Sequence, residues 1–351
     1  MRKNLRRTGI ITFLFLLLMI ATGCNQEQSR TMLKVTQDFV PITDIVEGRP
    51  NIYVIVKSMT SSYWEVVLEG TKQAGIDHEC NIYAAGSTLE TEWELQEAYI
   101  ELAIKSGADA IILGPDNSEM LAPAVEMVHD KGIPIIIVDT IVNSDDYDVC
   151  YLTDNLLAGE NAAKEMLRIL KEQGHSETEE VNVGIELRAK ASQTINERLA
   201  GFSQYWTKYA PDTWNIIDEL KCNDGDEVLA TKLSEEFLEQ YPDIDGVFGT
   251  DNASTMGFSS ALLKFNRQDI VMVGFDYSPE VAQIIEDGNF NVSLMLQSQY
   301  DMGYKGVESA LLLIDGKTVE LKFVDTGSVV LNKDSLNSEE ILEILQGNRG
   351  K

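Results

Sequence analysis

Short, β-rich apolar runs alternate with amphipathic stretches of helical length along most of this 351-residue chain, and few folds accommodate that alternation. Runs at 52–56, 82–85, 110–113 and 133–138 are separated by helix-patterned segments such as 63–75 and 90–105. A second series follows at 181–187, 214–220, 246–249, 270–275 and 291–296. Strands that are apolar throughout and joined through helices belong to parallel sheets covered on both faces, so each series predicts one doubly wound α/β lobe. The length agrees, because a single ordinary core of about 100–150 residues is too small for this chain.

The strand runs end alike, with polar residues just before the next helix: Lys57-Ser58, Gly114-Pro115-Asp116, Asp139-Thr140, Thr250-Asp251-Asn252, Phe275-Asp276-Tyr277 and Gln297-Ser298-Gln299. In an open parallel sheet the carboxyl ends of the strands share one edge, and ligands bind outside it. Any one of these residues could be a helix N-cap, for which Asp, Asn and Ser are preferred. Lys57 and Gln297 are poor caps, and the set together predicts a polar cleft between two facing edges.

The N-terminus carries a different signal. Basic residues Arg2, Lys3, Arg6 and Arg7 precede an apolar run from 10 to 21, the order of a secretory signal, and the run is too short for a comfortable membrane span. Ala21-Thr22-Gly23-Cys24 resembles a bacterial lipobox, with Ala21 where leucine is usual. The expectation is a signal peptide over 1–23, a lipidated (palmitate-bearing) Cys24, and a polar tether over 24–50 holding the protein outside the cytoplasm on the membrane. A formal charge of −29 makes nucleic acid an improbable partner. Cys80, Cys150 and Cys222 are irregularly spaced and read as free thiols, and no metal or cofactor pattern is present. His78, His129 and His175 are equally scattered near helix ends and loops.

With the strand ends in place, the sequence resembles the type I periplasmic binding proteins for sugars, the ribose- and allose-binding group, over roughly residues 51 to 330. The resemblance is carried by Val56-Lys57-Ser58-Met59-Thr60-Ser61-Ser62-Tyr63-Trp64, Ile137-Val138-Asp139, Thr153-Asp154-Asn155, Asn196-Glu197-Arg198-Leu199-Ala200-Gly201-Phe202, Phe248-Gly249-Thr250-Asp251-Asn252, Val273-Gly274-Phe275-Asp276 and Leu296-Gln297. It implies two Rossmann-like lobes joined by three hinge crossovers, near Asp154, after Gln297 and near Asp325. The N-terminal lobe would comprise 51–153 and 298–325, and the C-terminal lobe 154–297 and 326–351. It also implies a monomer that closes about its hinge on a small ligand.

Carried over by position, the resemblance puts Lys57, Ser61, Tyr63, Trp64, Asp139, Thr140, Asn196, Asp251, Phe275, Asp276 and Gln297 at the ligand. Aromatic rings would stack on a sugar face, carboxylates would accept hydroxyl hydrogen bonds, and amides would do both. This chain departs from ribose binders, which have arginine at positions 140 and 196 and asparagine at 61 and 251. Lys57 then stands as the only evident cation, and the ligand could be a monosaccharide, an amino sugar or a polyol. The implied output is delivery to an ABC-type permease, with presentation to a membrane sensor kinase or chemoreceptor as the alternative. A glycosidase using two of Asp139, Asp251 and Asp276 is disfavoured, because no nucleophile elbow, phosphate loop or metal cluster accompanies them.

Overall fold

The computed structural model describes residues 38–88, 92–190 and 192–349. The expected signal peptide and Cys24 lie outside the described residues. The elements run β1 (Val40–Pro41), β2 (Asn51–Ser58), α1 (Ser62–Asp77), β3 (Asn81–Ser87), α2 (Trp93–Lys105), β4 (Ala110–Leu113), α3 (Ala122–Asp130), β5 (Ile135–Val138), β6 (Val149–Leu152) and α4 (Asn155–Glu172). They continue with β7 (Val181–Leu187), α5 (Gln193–Tyr209), β8 (Trp214–Cys222), α6 (Glu227–Gln240), β9 (Gly246–Gly249), α7 (Asn252–Phe265), β10 (Val271–Phe275), α8 (Pro279–Asp287) and β11 (Asn291–Gln297). The chain closes with α9 (Gln299–Ile314), β12 (Phe323–Asp325), β13 (Ser328–Leu331) and α10 (Glu339–Arg349).

Two sheets form, in strand order β1-β3-β2-β4-β5-β6-β12 and β13-β11-β10-β9-β7-β8. All neighbours are parallel except β1 on β3 and β13 on β11. This is the two-lobed α/β fold that the alternation predicts. The chain passes between the sheets three times, from β6 to β7, from β11 to β12 and from β12 to β13. The first and third passages are tied together, the Asp154 amide donating to Asp325 Oδ1 at 2.9 Å.

Alternation along the strands sends successive side chains to opposite faces. Ile55, Ile111, Leu113 and Ile137 join α2 and α3 in one core, while Val54, Val56, Ile112 and Val138 join α1 and α9 in another. The second sheet divides likewise, Val183, Phe248 and Val273 packing on α4 and α5, and Val247, Met272 and Leu294 on α6, α7 and α8. The N-terminal halves of α4 and α5 nearly touch: a Cβ on Gly159 would stand 2.1 Å from the Arg198 carbonyl oxygen. Backbone contact this close fixes where α5 presents its side chains.

Three expectations are corrected. The folded part begins before Asn51, because Phe39 packs edge-on against Tyr53 at 4.7 Å and the Thr43 hydroxyl accepts the Ile82 amide, so the expected tether over 24–50 loses its second half to the first lobe. β5 starts at Ile135 and not at 133, since Pro134 has no N–H for the ladder. β2 extends through Ser58, so Lys57 is a strand residue whose side chain is directed by the sheet.

Candidate functional site

The ends of β5 and β10 build the same device in the two lobes. Asp139 and Asp276 each follow directly on the strand and adopt left-handed backbone, with φ of 69° and 68°. Each amide donates to the carbonyl of the neighbouring strand, Asp139 to Tyr151 at 2.9 Å and Asp276 to Met295 at 3.0 Å. Aspartate is among the few residues that tolerate this conformation, and strain of this kind collects at functional sites. Both residues line one cavity of about 390 Å³ with walls from both lobes, at the small end of the roughly 300–1,000 Å³ typical of ligand sites.

The first lobe holds its aspartate ionised. Lys57 Nζ donates to Asp139 Oδ2 at 2.7 Å and to Thr140 Oγ1 at 2.8 Å, the Tyr63 hydroxyl donates to Oδ1 at 2.7 Å, and the Thr140 hydroxyl donates to Oδ2 at 2.7 Å. Burial by itself pushes the Asp139 carboxyl up, but the Lys57 charge and these donors outweigh it and hold the group at about 2. The Tyr63 phenol, buried and facing Asp139, is pushed well above its ordinary value and stays a donor. Thr140 has spent its proton on Asp139, so its 3.0 Å contact with Thr194 from α5 is a hydrogen bond donated across the lobes by Thr194.

Among the described residues, no cation bonds the aspartate of the second lobe. Asp276 Oδ1 accepts from Gln297 Nε2 at 2.7 Å. Burial is the largest influence and raises the Asp276 carboxyl to about 6; Arg198 and Gln297 oppose the rise, and Asp251 and Asp139 add to it. Asp251 also lines the cavity, yet its carboxylate caps α7, accepting the Ala253 and Ser254 amides and the Ser254 hydroxyl. Burial raises its pKa as well. The cap and the cavity wall are therefore one residue, and the two readings of a strand-end aspartate do not compete here.

Among the remaining expected residues, Lys57, Ser61, Tyr63, Trp64 and Gln297 line the cavity. Trp64 is 1% exposed and packs its ring edge against Gly114, where a Cβ would fall 2.4 Å from Trp64 Cη2. Thr140 sits behind the wall as a hydrogen-bond relay, and Phe275 lies in the core with the Arg198 guanidinium 3.9 Å above its ring. Asn196 is not at the cavity. Its amide donates to the Lys190 carbonyl at 3.0 Å, and it lines a separate surface depression with Asn117 and Asn143. Asp116 also stays out of the cavity, its backbone held by Gln96.

Two residues the strand-end reasoning passed over change the electrostatics. Arg198 lines the cavity, donating through Nε to Asn155 Oδ1 at 2.9 Å and through Nη1 to the Thr250 carbonyl at 2.8 Å. Arg188, the first residue after β7, also lines it and acts on Asp251. Lys57 is thus not the only cation. The inner wall sets Lys57, Arg188 and Arg198 against Asp139, Asp251 and Asp276, while the further carboxylates Asp224, Asp226 and Glu227 sit exposed on the turn into α6 and its first residue. Arg188 was findable by extending the strand-end rule to Leu187.

A family model described as a periplasmic binding protein domain matches residues 52–318. The ribose import binding protein of Escherichia coli is 24% identical over 308 residues, covering 87% of this chain and 99% of the relative. A carbohydrate transporter solute-binding protein from Agrobacterium radiobacter, solved with D-arabinose, matches with a TM-score of 0.79 and 26% identity, covering 85% of this chain and 99% of that one. An ABC transporter solute-binding protein from Agrobacterium vitis with bound D-fucose matches at 0.76 and 28%, covering 83% and 98%. The chain belongs to the periplasmic binding protein family, with the type I two-lobed fold that its sequence resembles. These relatives are solute-binding proteins of transporters.

The two aspartates should respond oppositely to pH. Lys57→Met strands Asp139 as a buried anion and is expected to cost about 3–5 kcal/mol at neutral pH. The loss should shrink in acid, where the stranded carboxyl protonates; chemical denaturation of both proteins across pH checks it. Asp276 has a raised pKa, so the stability it contributes is full below the ordinary 3.8 and lost as pH rises through about 6. Asp276→Asn should therefore be more stable than the wild type at pH 7 without ligand, by up to roughly 3 kcal/mol, and indistinguishable near pH 4. Equal stabilities at pH 7 would contradict that assignment.

Proposed function

We propose that this protein captures a neutral monosaccharide or polyol in the cavity between its lobes, closes on it, and delivers it to an ABC-type permease. The observation that carries the reading is the balanced inner wall. A cationic ligand would leave Lys57, Arg188 and Arg198 facing a fourth positive group, and an anionic one would face Asp139, Asp251 and Asp276. A polyhydroxyl ligand suits both sets, donating to carboxylates and accepting from lysine, arginine and Gln297. Amino sugars, which fit a site with Lys57 as its lone cation, are disfavoured once the arginines are counted. The outer carboxylates Asp224, Asp226 and Glu227 do not upset this balance, because water screens them.

Ser61, Tyr63 and Trp64 would form the wall against the sugar face, Asp139 and Asp276 would take hydroxyls from opposite sides, and Arg198 would replace Asn196 as the α5 contact. The lobe boundaries would fall at 153/154, 297/298 and 325/326, and one chain suffices for the activity. The ligands named for the similar proteins, ribose, D-arabinose and D-fucose, support the substrate class. The description of one of these proteins as an ABC transporter solute-binding protein supports an ABC permease as the receiver. A protein of this kind works outside the cytoplasm, and the N-terminal pattern supports anchoring through lipid on Cys24.

A thermal-shift panel of D-ribose, D-arabinose, D-fucose, D-allose, xylitol and D-glucosamine tests the ligand class. A cognate neutral sugar at 100 times its Kd should add about 2.7 kcal/mol of stability, and Asp276→Asn should lose most of that shift. A shift with glucosamine alone would refute the neutral-ligand reading. Radiolabelled palmitate fed to expressing cells should label the wild type and not Cys24→Ser, and equal labelling would remove the anchor.

A further inference from the structure

Five consecutive cavity-lining residues, Asp224 to Val228, run from the turn after β8 into the first two residues of α6, where the Asp224 amide donates to the Arg188 carbonyl at 2.7 Å and Asp226 caps the helix by accepting the Leu229 amide. Asp224 and Gly225 both take positive φ, 55° and 80°, and residues 224–228 are exposed. A short exposed turn with a left-handed non-glycine residue needs an external clamp to stay in one conformation.

Asn223 provides the visible half of that clamp. It is fully buried, its Oδ1 accepts the Gly225 amide at 2.8 Å, and its carbonyl accepts the Asp226 amide at 3.0 Å. The other half is Glu186, a fully buried residue of β7 that does not line the cavity. Its Oε1 accepts Asn223 Nδ2 at 2.8 Å, and its Oε2 accepts the Ser234 hydroxyl of α6 at 2.8 Å. Its backbone carbonyl takes the amide and hydroxyl of Thr250, both at 3.1 Å, beside the cavity residue Asp251. One residue thus joins the strand before Arg188, the turn, the helix after the turn, and the end of β9.

We propose that Glu186 is a positioning residue for the ligand cavity, fixing the 224–228 wall from beneath through Asn223 and Ser234. A purely space-filling side chain would serve β7 better, because an ionisable group at this depth is costly unless its hydrogen bonds are used. The charged and titratable groups facing it are Asp251 on the cap of α7, and Lys221 and Cys222 on β8. Burial pushes the Glu186 carboxyl up to about 7; Asn223, Ser234 and Lys221 oppose the rise and Asp251 adds to it. Stability contributed by its protonated form is full below the ordinary 4.5 and lost as pH rises through about 7.

Hydrogen exchange of the whole chain, read at the Asp224, Gly225 and Asp226 amides without any sugar, tests the proposal apart from the ligand reading. Glu186→Ala should speed exchange at these amides by roughly 5- to 10-fold, the loss of the hydrogen bond that orients Asn223 beneath the turn, with the centres of both sheets still protected. Glu186→Gln can keep an acceptor for Asn223 and a partner for Ser234, so it should restore protection to about the wild-type level. Across the pH 4.5 to 7 window, the melting temperature of the wild type should fall relative to Glu186→Gln, a readout that stands even where the alanine variant does not fold. Unchanged turn exchange in Glu186→Ala, or a pH-independent difference between wild type and Glu186→Gln, would overturn the proposal. A second arm, which rests on the sugar-binding reading, titrates D-ribose, D-arabinose and D-fucose: whichever binds should bind Glu186→Ala at least about tenfold more weakly than Glu186→Gln, and equal affinities would overturn the wall's role.

Discussion

The buried ion pair between Lys57 and Asp139 sets the terms for the rest of the cleft. With side-chain exposures of 5% and 8%, both groups have left water, and only a short contact with further hydrogen bonds compensates for that. Tyr63 and Thr140 supply the further bonds, and each commits its own element, α1 or the loop after β5, to one geometry. Thr140 then reaches Thr194 on α5, so the arrangement that stabilises the pair also carries a contact to the other lobe. Ligand site and lobe closure share atoms, which is how a small solute can bias a hinge.

Opposite that pair, Asp276 has the same backbone and a different charge environment. Asp139 is ionised and accepts from three donors, only one of them on Oδ1, which leaves that oxygen room for one more, whereas the Asp276 carboxyl is raised to about 6 by burial and by its acidic neighbours. Two carboxylates with matched geometry and unmatched pKa give the cleft two acceptors for ligand hydroxyls, one fixed by its donors and one with most of its acceptor capacity free. Arg198, seated on the Phe275 ring and bonded to Asn155 and the Thr250 carbonyl, counters Asp276 by charge without hydrogen-bonding it.

Much of this was legible in the sequence, for a physical reason. Strands buried on both faces must be apolar throughout, so runs such as 110–113 and 246–249 mark themselves, and residues just past them are placed by the sheet. Asp139, Asp251, Asp276, Lys57 and Gln297 were found by that logic. Helix residues were not, because the cavity-facing side of α5 depends on rotation: Asn196 and Arg198 are two positions apart and so about 200° apart around the helix. Thr194, Ile195 and Arg198 share the cavity face, and Asn196 points elsewhere. The short edge strands β1, β12 and β13 were also missed, being too brief to show alternation, and the folded start at Phe39 went unseen because it is held by packing on Tyr53 and Tyr99 in other elements and not by any local pattern.

The central claim is that one neutral sugar bridges the two left-handed aspartates. A crystal structure of the protein with the sugar that raises its melting temperature most tests it directly. The account requires hydroxyl oxygens of a single sugar within hydrogen-bonding distance of both Asp139 and Asp276. A sugar held by one lobe alone, or bound outside the cleft, would contradict it.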